Sequence, residues 1–298
     1  MRPELVQASE LLRKNTPEAI EQAIGLLQNT VFSFSMKMCG HREDAEDTMQ
    51  DVLFRSLKHL SKVQEPNALA AWLYTVTRNR CHRIRRGHDT ERKRLSLNDL
   101  IPDAEELRHL LLEAEGGPEQ IAIHAQQHQL LHKAVLRIPT SLRLVLVLHD
   151  MEELTAEQIA QILDLQVGTV RVRLHRARLA VRKEMSLVLR GMPEQSASPS
   201  KVTIERPKEC RELFANLSEY LDARVDLRTC DQMKGHIERC PACVAFLKDL
   251  RTAVDRCRSF NVACDPDVAK RMRTLMTREY LRLIGAPPAQ QDASLAKK

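Results

Sequence analysis

Apolar side chains recur at helical spacing along most of this sequence, and the interruptions divide the pattern into segments. The first segment runs from about Glu18 to Arg86, and breaks near Gly40-His41 and at Glu65-Pro66-Asn67 divide it into three or four predicted helices. The periodicity resumes from about Glu119 to Leu189, and a last amphipathic helix is predicted over roughly Asp267 to Ile284. Since good helix formers such as Leu, Ala, Arg, Glu and Gln dominate, the sequence predicts an all-α fold.

Two polar stretches separate the helical segments. The first, from about Gly87 to Pro118, indicates a linker with one short helix around residues 105–113, and the second, Gly191 to Pro207, is rich in Ser and Pro. A compact segment with several cysteines follows, from Cys210 to about Arg258, and the tail after the last helix is expected to be disordered. A chain of 298 residues exceeds one compact helical core, so two or three domains are predicted.

Positive charge is concentrated in two blocks, although the net charge is only +6. Eight Lys or Arg lie between Arg78 and Arg94 against two acids, and six lie between Arg171 and Lys183 against none. Two basic blocks indicate a polyanion bound at two places, and the alternative is solvated helix faces. The N-terminus lacks the apolar run of a signal peptide, and no stretch approaches the ~20 apolar residues of a membrane span, so a cytoplasmic protein without membrane contact is expected.

A helix-turn-helix is predicted in the second helical segment. Thr155 and Gln158 form a capping box that begins the first helix, and a short turn at Asp164 leads to a second helix near Gly168. On that helix one face carries the buried stripe Val170, Leu174, Ala177 and Val181, and another carries Arg171, His175, Arg178 and Arg182. One face for a core and one for an anion is the arrangement of a recognition helix in the major groove. The alternative is an ordinary helical hairpin with an Arg-rich surface.

Acidic side chains crowd the start of a helix in the first segment, at Glu43, Asp44, Glu46, Asp47 and Asp51. Their number exceeds what a helix N-terminus favours, which indicates a basic protein partner. Downstream, Trp72 and Tyr74 precede the first basic block, and aromatic rings beside arginine suit unstacked bases. The alternative for Trp72 is a core position, with the polar side chains of another helix face contacting DNA.

The cysteines favour a metal site, because a cytoplasmic protein is unlikely to contain a disulfide framework. His236, Cys240 and Cys243 have the spacing H-x₃-C-x₂-C, which supplies three ligands for a tetrahedral ion. Cys210 and Cys230 are the candidates for the fourth, and the alternative is buried cysteines beside an incidental histidine. Four protein ligands leave no position for a catalytic water. No phosphate loop or nucleophile–base pair is evident, so an enzyme is not expected.

These motifs resemble extracytoplasmic-function (ECF) RNA polymerase sigma factors. Asp44-Ala45-Glu46-Asp47, Gln50, Phe54, Ala71-Trp72-Leu73-Tyr74 and Arg78-Asn79 are similar to the family's region two. Ile138-Pro139, Ile159-Ala160, Val167-Gly168-Thr169-Val170 and Leu174-His175-Arg176-Ala177-Arg178 are similar to its region four. Asp164 departs from the family, which often has Gly in the hairpin turn.

The resemblance implies the partners and the residues that bind them. RNA polymerase core is expected at Asp44, Glu46, Asp47, Gln50 and Asp51. Promoter DNA is expected at Trp72, Tyr74, Arg78, Asn79 and Arg80 of region two and at Gly168, Thr169, Arg171, Arg173, His175, Arg176 and Arg178 of region four. In this interpretation Arg178 and Arg182 contact phosphate only. The rival hypothesis is a helix-turn-helix regulator that acts without polymerase, which leaves the region-two resemblance unexplained.

The cysteine segment resembles the zinc-binding anti-sigma family, in which a cysteine opens the first helix. That resemblance favours Cys210 over Cys230 and implies one zinc ion on Cys210, His236, Cys240 and Cys243. The predicted domains are region two (1–95), a linker (96–125), region four (126–190), a linker (191–207), the zinc-binding domain (208–260) and the C-terminal helix with its tail (261–298). The zinc-binding domain is expected to contact the sigma domains of its own chain and inhibit them, and the alternative is that it helps to dock polymerase or DNA.

Overall fold

A computed structural model describes residues 2–60, 65–85, 100, 124–189 and 208–284, and within these ranges the elements are all helical. In chain order they are α1 (Pro3–Lys14), α2 (Pro17–Cys39), α3 (Arg42–Leu60), α4 (Pro66–Arg85), α5 (His124–Arg137), α6 (Thr140–Leu146), a π-helical turn (Val147–Met151), α7 (Ala156–Leu163), α8 (Val167–Leu189), α9 (Lys208–Leu221), α10 (Leu227–Ile237), α11 (Pro241–Ser259) and α12 (Pro266–Leu283).

The boundaries of the first helices follow from local chemistry. The Thr16 hydroxyl accepts a hydrogen bond from the Ala19 N–H, and Pro17 supplies a backbone angle suited to the first turn of α2. α2 ends at Gly40, whose φ of 82° lies in the left-handed region that glycine adopts without strain. α4 begins at Pro66, so both breaks predicted from the sequence are confirmed.

One compact unit contains α1 to α4, the short segment Ala160–Asp164 and, from the far end of the chain, α12. Its core is formed by apolar side chains such as Leu27, Phe34, Val52 and Leu73. α12 packs on α2 and α3 and buries Met276, Thr277, Tyr280 and Leu281. The last predicted helix therefore exists, and it is part of the unit formed by the N-terminal helices.

The second unit contains α5, α6, the π-helical turn, the first turn of α7, and α8 to α11. The predicted capping box is present, because the Thr155 N–H donates to Gln158 Oε1 at 2.9 Å and the Gln158 N–H donates to the Thr155 hydroxyl at 3.3 Å. In the turn between α7 and α8, Asp164 has a φ of 54°, a conformation that aspartate adopts more readily than most residues. The helix-turn-helix therefore forms with aspartate at a position suited to glycine.

Helices α9, α10 and α11 form a small module around a few large apolar side chains, and we call it the zinc module after the ion that the sequence predicts. Phe214 and Phe246 meet edge to face with ring centroids 4.9 Å apart. Each of the three helices also buries apolar side chains, among them Leu217, Met233 and Leu250. α9 and α11 both pack on α8. The module thus shares a unit with α8, the second helix of the helix-turn-helix.

The all-α prediction is confirmed in the described residues, whereas one helix was missed. α1 precedes the first predicted segment; Pro3 at its N-terminus and the left-handed Asn15 at its C-terminus are boundary signals visible in the sequence. The predicted short helix at 105–113, most of both linkers and the C-terminal tail lie outside the described residues.

Candidate functional site

Four side chains of the zinc module converge on one point. Cys210 comes from α9, His236 from the last turn of α10, and Cys240 and Cys243 from the start of α11, where Pro241 begins the helix. Their ligand atoms all lie within 4.8 Å of one another. His236 Nε2 is 3.3 Å from Sγ of both Cys210 and Cys243, and those two sulfurs are 3.8 Å apart.

These distances fit a tetrahedral ion. Metal–sulfur bonds of ~2.3 Å place two thiolates of a tetrahedron roughly 3.8 Å apart. Burial and the neighbouring thiols of Cys240 and Cys210 raise the pKa of the Cys243 thiol, so without a cation this thiol favours its protonated form. A bound cation reverses that preference by stabilising thiolates. The four residues can therefore hold a metal ion.

The recognition helix α8 sorts its polar side chains into two sets. The open set is solvent-accessible: Gly168, Thr169, Arg171 and Arg176 are exposed, and Arg173 is half-buried. Arg171 also forms a 3.6 Å ion pair with Glu157 at the start of α7. These residues occupy the N-terminal half of the helix, which is the part that faces bases and adjacent phosphates in helix-turn-helix proteins.

The anchored set is covered by the zinc module, and Arg178 is its centre. Arg178 is fully buried and binds the carboxylate of Asp150, in the π-helical turn, through two hydrogen bonds of 2.6 and 2.8 Å. It also donates to Asp222, next to the end of α9, at 2.8 and 3.0 Å and to the Ser218 carbonyl at 3.2 Å. One guanidinium thus ties together the helix-turn-helix, the π-helical turn and the zinc module.

The electrostatics of this cluster favour the charged forms of its members. Burial alone would raise the pKa of the Asp150 carboxyl, but hydrogen bonds and charge from Arg178 and His149 hold it well below its ordinary value. Burial opposes the charge on Arg178, and the two carboxylates outweigh that effect and raise its pKa. Each partner of the Arg178–Asp150 pair therefore favours its charged form, which strengthens the hydrogen bonds between them.

Two further side chains complete the anchored set. The Arg182 guanidinium lies 4.8 Å from the centre of the Phe246 ring and 3.2 Å from an oxygen of Asp249, both on α11. A ring nitrogen of His175 lies 3.1 Å from the Ser218 hydroxyl on α9. Burial, and then the charges of Arg178 and Arg176, lower the pKa of His175 to about 4, so this histidine is neutral at pH 7.

The anchored set corrects part of the sequence interpretation. Arg178 and Arg182 were expected to contact phosphate, and His175 was expected at the DNA interface. In the structure Arg178 and Arg182 are buried, and all three residues contact the zinc module. Their partners are a hydroxyl on α9, a carboxylate just after α9, and a carboxylate and an aromatic ring on α11.

In the other unit, the predicted polymerase-binding residues lie on α3 with different surroundings. Asp47 and Gln50 are exposed, and Asp44 is partly exposed. Asp51 is paired with Arg55 at 3.0 Å and with Arg80 of α4 at 3.2 Å. Glu46 accepts a hydrogen bond from Arg42 at 2.9 Å, and Arg42 also pairs with Asp265 before α12 at 3.6 Å. The C-terminal segment therefore borders this acidic face at Glu46 and leaves Asp47 and Gln50 accessible.

The predicted DNA-binding residues of α4 divide between a groove and the core. A groove of about 660 Å³ between α3 and α4 is lined by Trp72, Asn79, Arg80 and Arg83, with Phe54 and His59 facing them from α3. The Trp72 and His59 rings lie 5.3 Å apart.

Outside this groove, Arg78 is partly buried and its guanidinium donates to Asn79 Oδ1. Tyr74, by contrast, is 1% exposed and packs against Phe34, so it is a core residue and the expectation that it contacts DNA is wrong for this structure.

Sequence patterns missed the acidic side chains that anchor the module. Asp150 lies at the end of an apolar run, two residues before Glu152, and nothing in helical periodicity distinguishes a buried ion-pair partner from an exposed charge. Asp222 lies just after α9 and Asp249 lies on α11, both among other polar residues that give no sign of a buried partner. The one available signal was the basic stripe on α8, because three arginines and a histidine at helical spacing exceed what a solvated face requires.

The comparisons with known proteins agree with this arrangement. Residues 24–91 match the family model for sigma-70 region 2, residues 128–181 match that for sigma-70 region 4, and residues 210–243 match a model described as "Putative zinc-finger". Within the described ranges, no helix has the length and apolar character needed to cross a membrane.

Similar curated proteins are sigma factors. The ECF RNA polymerase sigma factor SigW of Bacillus subtilis is 25% identical over 177 residues, covering 58% of this chain and 92% of that protein. The RNA polymerase sigma-H factor of Pseudomonas aeruginosa is 27% identical over 188 residues, covering 62% and 95%. The ECF RNA polymerase sigma-E factor of Escherichia coli is 26% identical over 153 residues, covering 49% and 76%. With both sigma-70 regions in order and the metal-competent module behind them, the chain is an RNA polymerase sigma factor of the ECF type with a C-terminal zinc-finger segment.

Proposed function

We propose that this sigma factor brings RNA polymerase core to promoters and that its own C-terminal segment regulates it in cis. Region two binds core through the accessible acidic side chains of α3 and promoter DNA through the α3–α4 groove. Region four binds promoter DNA through the open set on α8. The module holds one structural zinc ion on Cys210, His236, Cys240 and Cys243.

The observation that carries the proposal is the division of α8 into an open and an anchored set. A helix-turn-helix regulator acting alone needs the open set and has no use for an acidic α3 or for region two. A zinc module that served only as a stable appendage would not need to bury Arg178 and Arg182 of the recognition helix. Since it does, the module is coupled to region four, and a change that weakens the packing of the module also changes the environment of the recognition helix.

The segment at α12 supports regulation of core binding. Asp265 lies against Arg42, which is bound to Glu46, so the C-terminal segment stands at one edge of the acidic face. A basic partner that approaches Asp47 and Gln50 then meets this segment beside them. We propose that the segment lowers the affinity for core until a signal displaces it, which requires only a shift of a few kcal/mol between the two states.

Run-off transcription with purified core polymerase tests the regulatory proposal. A chain ending at Ser200 should give more promoter-specific transcript than the full-length chain at equal concentration. Truncation also exposes the apolar surface of α2 that α12 covers. A full-length Asp222→Ala/Asp249→Ala variant is therefore a second test, because it weakens only the contact between the zinc module and α8. Lower activity of both folded variants would make the C-terminal segment an activating element and overturn the inhibitory role.

Core binding is tested separately by charge reversal on α3. Asp47→Lys should weaken capture of core polymerase, because like charges then face the basic partner. Glu10→Lys, which reverses an exposed acid on α1, is the matched control and should leave capture unchanged. The fold should survive in both variants, since exposed charges contribute little to stability. Equal capture by the two variants would contradict the assignment of the acidic face.

A further inference from the structure

The turn after α9 places two charged side chains of the zinc module against different parts of the helix-turn-helix. Ala223 has a φ of 52°, and the Arg224 N–H donates to the Glu219 carbonyl at 2.8 Å, which closes the turn tightly. Before the bend, Asp222 binds Arg178. After it, Arg224 lies with Arg171 at a small cleft between the start of α8 and the end of α9.

We propose that Arg224 of the zinc module and Arg171 of the recognition helix form one composite surface for the phosphate backbone of duplex DNA. The proposal rests on the proposed function of α8 in promoter binding and adds a DNA contact from outside region four. The module in its docked position is then part of the DNA-binding surface.

The charges around the cleft support a phosphate as the occupant. Glu157 is exposed at the start of α7, and its carboxyl pKa is lowered by hydrogen bonds from its own backbone and Thr155, and further by the charges of Arg224 and Arg171. Both arginines therefore act on the same exposed position. Arg171 and Glu157 are about half exposed and 3.6 Å apart, an ion pair of the kind that contributes little and that a phosphate can displace.

The acidic side chains of the zinc module leave positive charge at this surface uncompensated. Asp222 is bound to Arg178 and lies 3.5 Å from Arg258, so its charge is already compensated. Glu219 is the remaining acid of the cleft. The exposed Arg176 and Thr169 continue along α8, so the arginine of the module extends an existing polar surface at the end where bases and flanking phosphates are contacted.

Duplex binding by the full-length chain tests the proposal. Fluorescence anisotropy with a labelled mixed-sequence 24-bp duplex, titrated over a range of salt concentrations, gives both affinity and the number of phosphate contacts. Each phosphate contact contributes a slope of about −0.9 in log K against log salt, so Arg224→Ala should flatten the slope by about 0.9 and weaken binding roughly eightfold at 0.1 M salt. Arg224→Lys should restore most of the slope, because phosphate contacts require charge more than shape.

Matched controls distinguish the outcomes. Arg251→Ala removes an exposed arginine of α11 that does not line the cleft, and it should bind as the unmodified chain does. Arg176→Ala removes an open-set residue of α8 and should weaken binding whether or not Arg224 participates.

If Arg176→Ala weakens binding while Arg224→Ala keeps the parent slope, the composite surface is wrong and the role of α8 stands. If neither variant changes binding, DNA binding through α8 is wrong as well. Tighter binding by Arg224→Ala would show that the module opposes DNA, which also overturns the inference.

Discussion

The C-terminal segment packs on the two sigma units by different physical means. On region four, the contact of the zinc module is built around buried charges: Arg178 with Asp150 and Asp222, and Arg182 with Asp249 and Phe246. On region two, α12 buries apolar side chains, and its ion pairs lie at the exposed edges, as Arg273 with Glu21 does at 3.6 Å.

This difference has consequences for specificity and for switching. The free energy gained by burying apolar side chains is roughly proportional to the buried area and tolerates small displacements of the helices. A buried ion pair requires one geometry, and removing one partner strongly destabilises the fold. The contact on region four should therefore be all-or-none and sensitive to single substitutions. The contact on region two should lose stability in proportion to the apolar area that each substitution removes.

The largest effect is expected at the metal ligands, since the zinc module has little core of its own. Structural zinc contributes roughly 10–16 kcal/mol of apparent binding free energy to small domains at pH 7. Cys240→Ser/Cys243→Ser should lose the metal and unfold α9 to α11, which also removes the anchor from α8. Metal analysis should find about one equivalent in the parent chain and none in the variant. Cys230→Ser is the matched control, because Cys230 lies on α10 outside the cluster, and it should retain the metal.

The next largest effect concerns the buried cluster of region four. Asp150→Ala leaves Arg178 in a buried site with Asp222 as its remaining carboxylate, and removing one partner of a buried pair costs about 3–5 kcal/mol. Chemical denaturation of the full chain should show that loss, whereas Asp222→Ala should cost less because its carboxylate is partly solvent-exposed. Equal losses in the two variants would mean that Asp222 contributes as much to stability as Asp150 does. The Arg178–Asp150 pair within region four would then not differ in strength from the contact between Arg178 and the zinc module.

Region two provides the apolar counterpart. Met276 is fully buried where α12 meets α2 and α3, and Met276→Ala should destabilise that contact by about 2–4 kcal/mol. Arg273→Ala, at the exposed edge of the same helix, should cost under about 1 kcal/mol. Hydrogen exchange measured along α2 distinguishes the two. Loss of protection in Arg273→Ala equal to that in Met276→Ala would show that charges hold α12 as well.

The sequence predicted the parts whose signals are local. The capping box at Thr155, the helix end at Gly40 and the H-x₃-C-x₂-C spacing are set by neighbours within a few residues, and each exists in the structure. The sequence could not show which polar side chains of α8 are accessible. The residues of the basic stripe have the same periodicity and differ only in what packs against them: Arg171, His175, Arg178 and Arg182. Tyr74 was assigned to DNA for the same reason: its burial against Phe34 depends on a helix forty residues earlier.

The smallest expected effect is a pH dependence in the contact on region four, carried by His175. Its pKa is lowered from 6.5 to about 4 by burial and by Arg178 and Arg176, so the folded unit favours the neutral ring. Above pH 6.5 the ring is neutral in both the folded and the unfolded state and does not affect stability, but as the pH falls from about 6.5 toward 4 only the unfolded state takes up the proton, so the free energy of unfolding decreases.

At pH 5.5 this amounts to about 1 kcal/mol relative to pH 7.5. His175→Gln keeps a side chain that hydrogen-bonds to the Ser218 hydroxyl and removes the titration. The free energy of unfolding of region four with its module should therefore fall about 1 kcal/mol less in this variant than in the parent chain over that interval. His41, an exposed histidine before α3, gives the matched control His41→Gln, which should keep the parent's dependence. Identical pH profiles for parent and His175→Gln would mean that the ring is solvated, and the contact at Ser218 would then be looser than the ion pairs beside it.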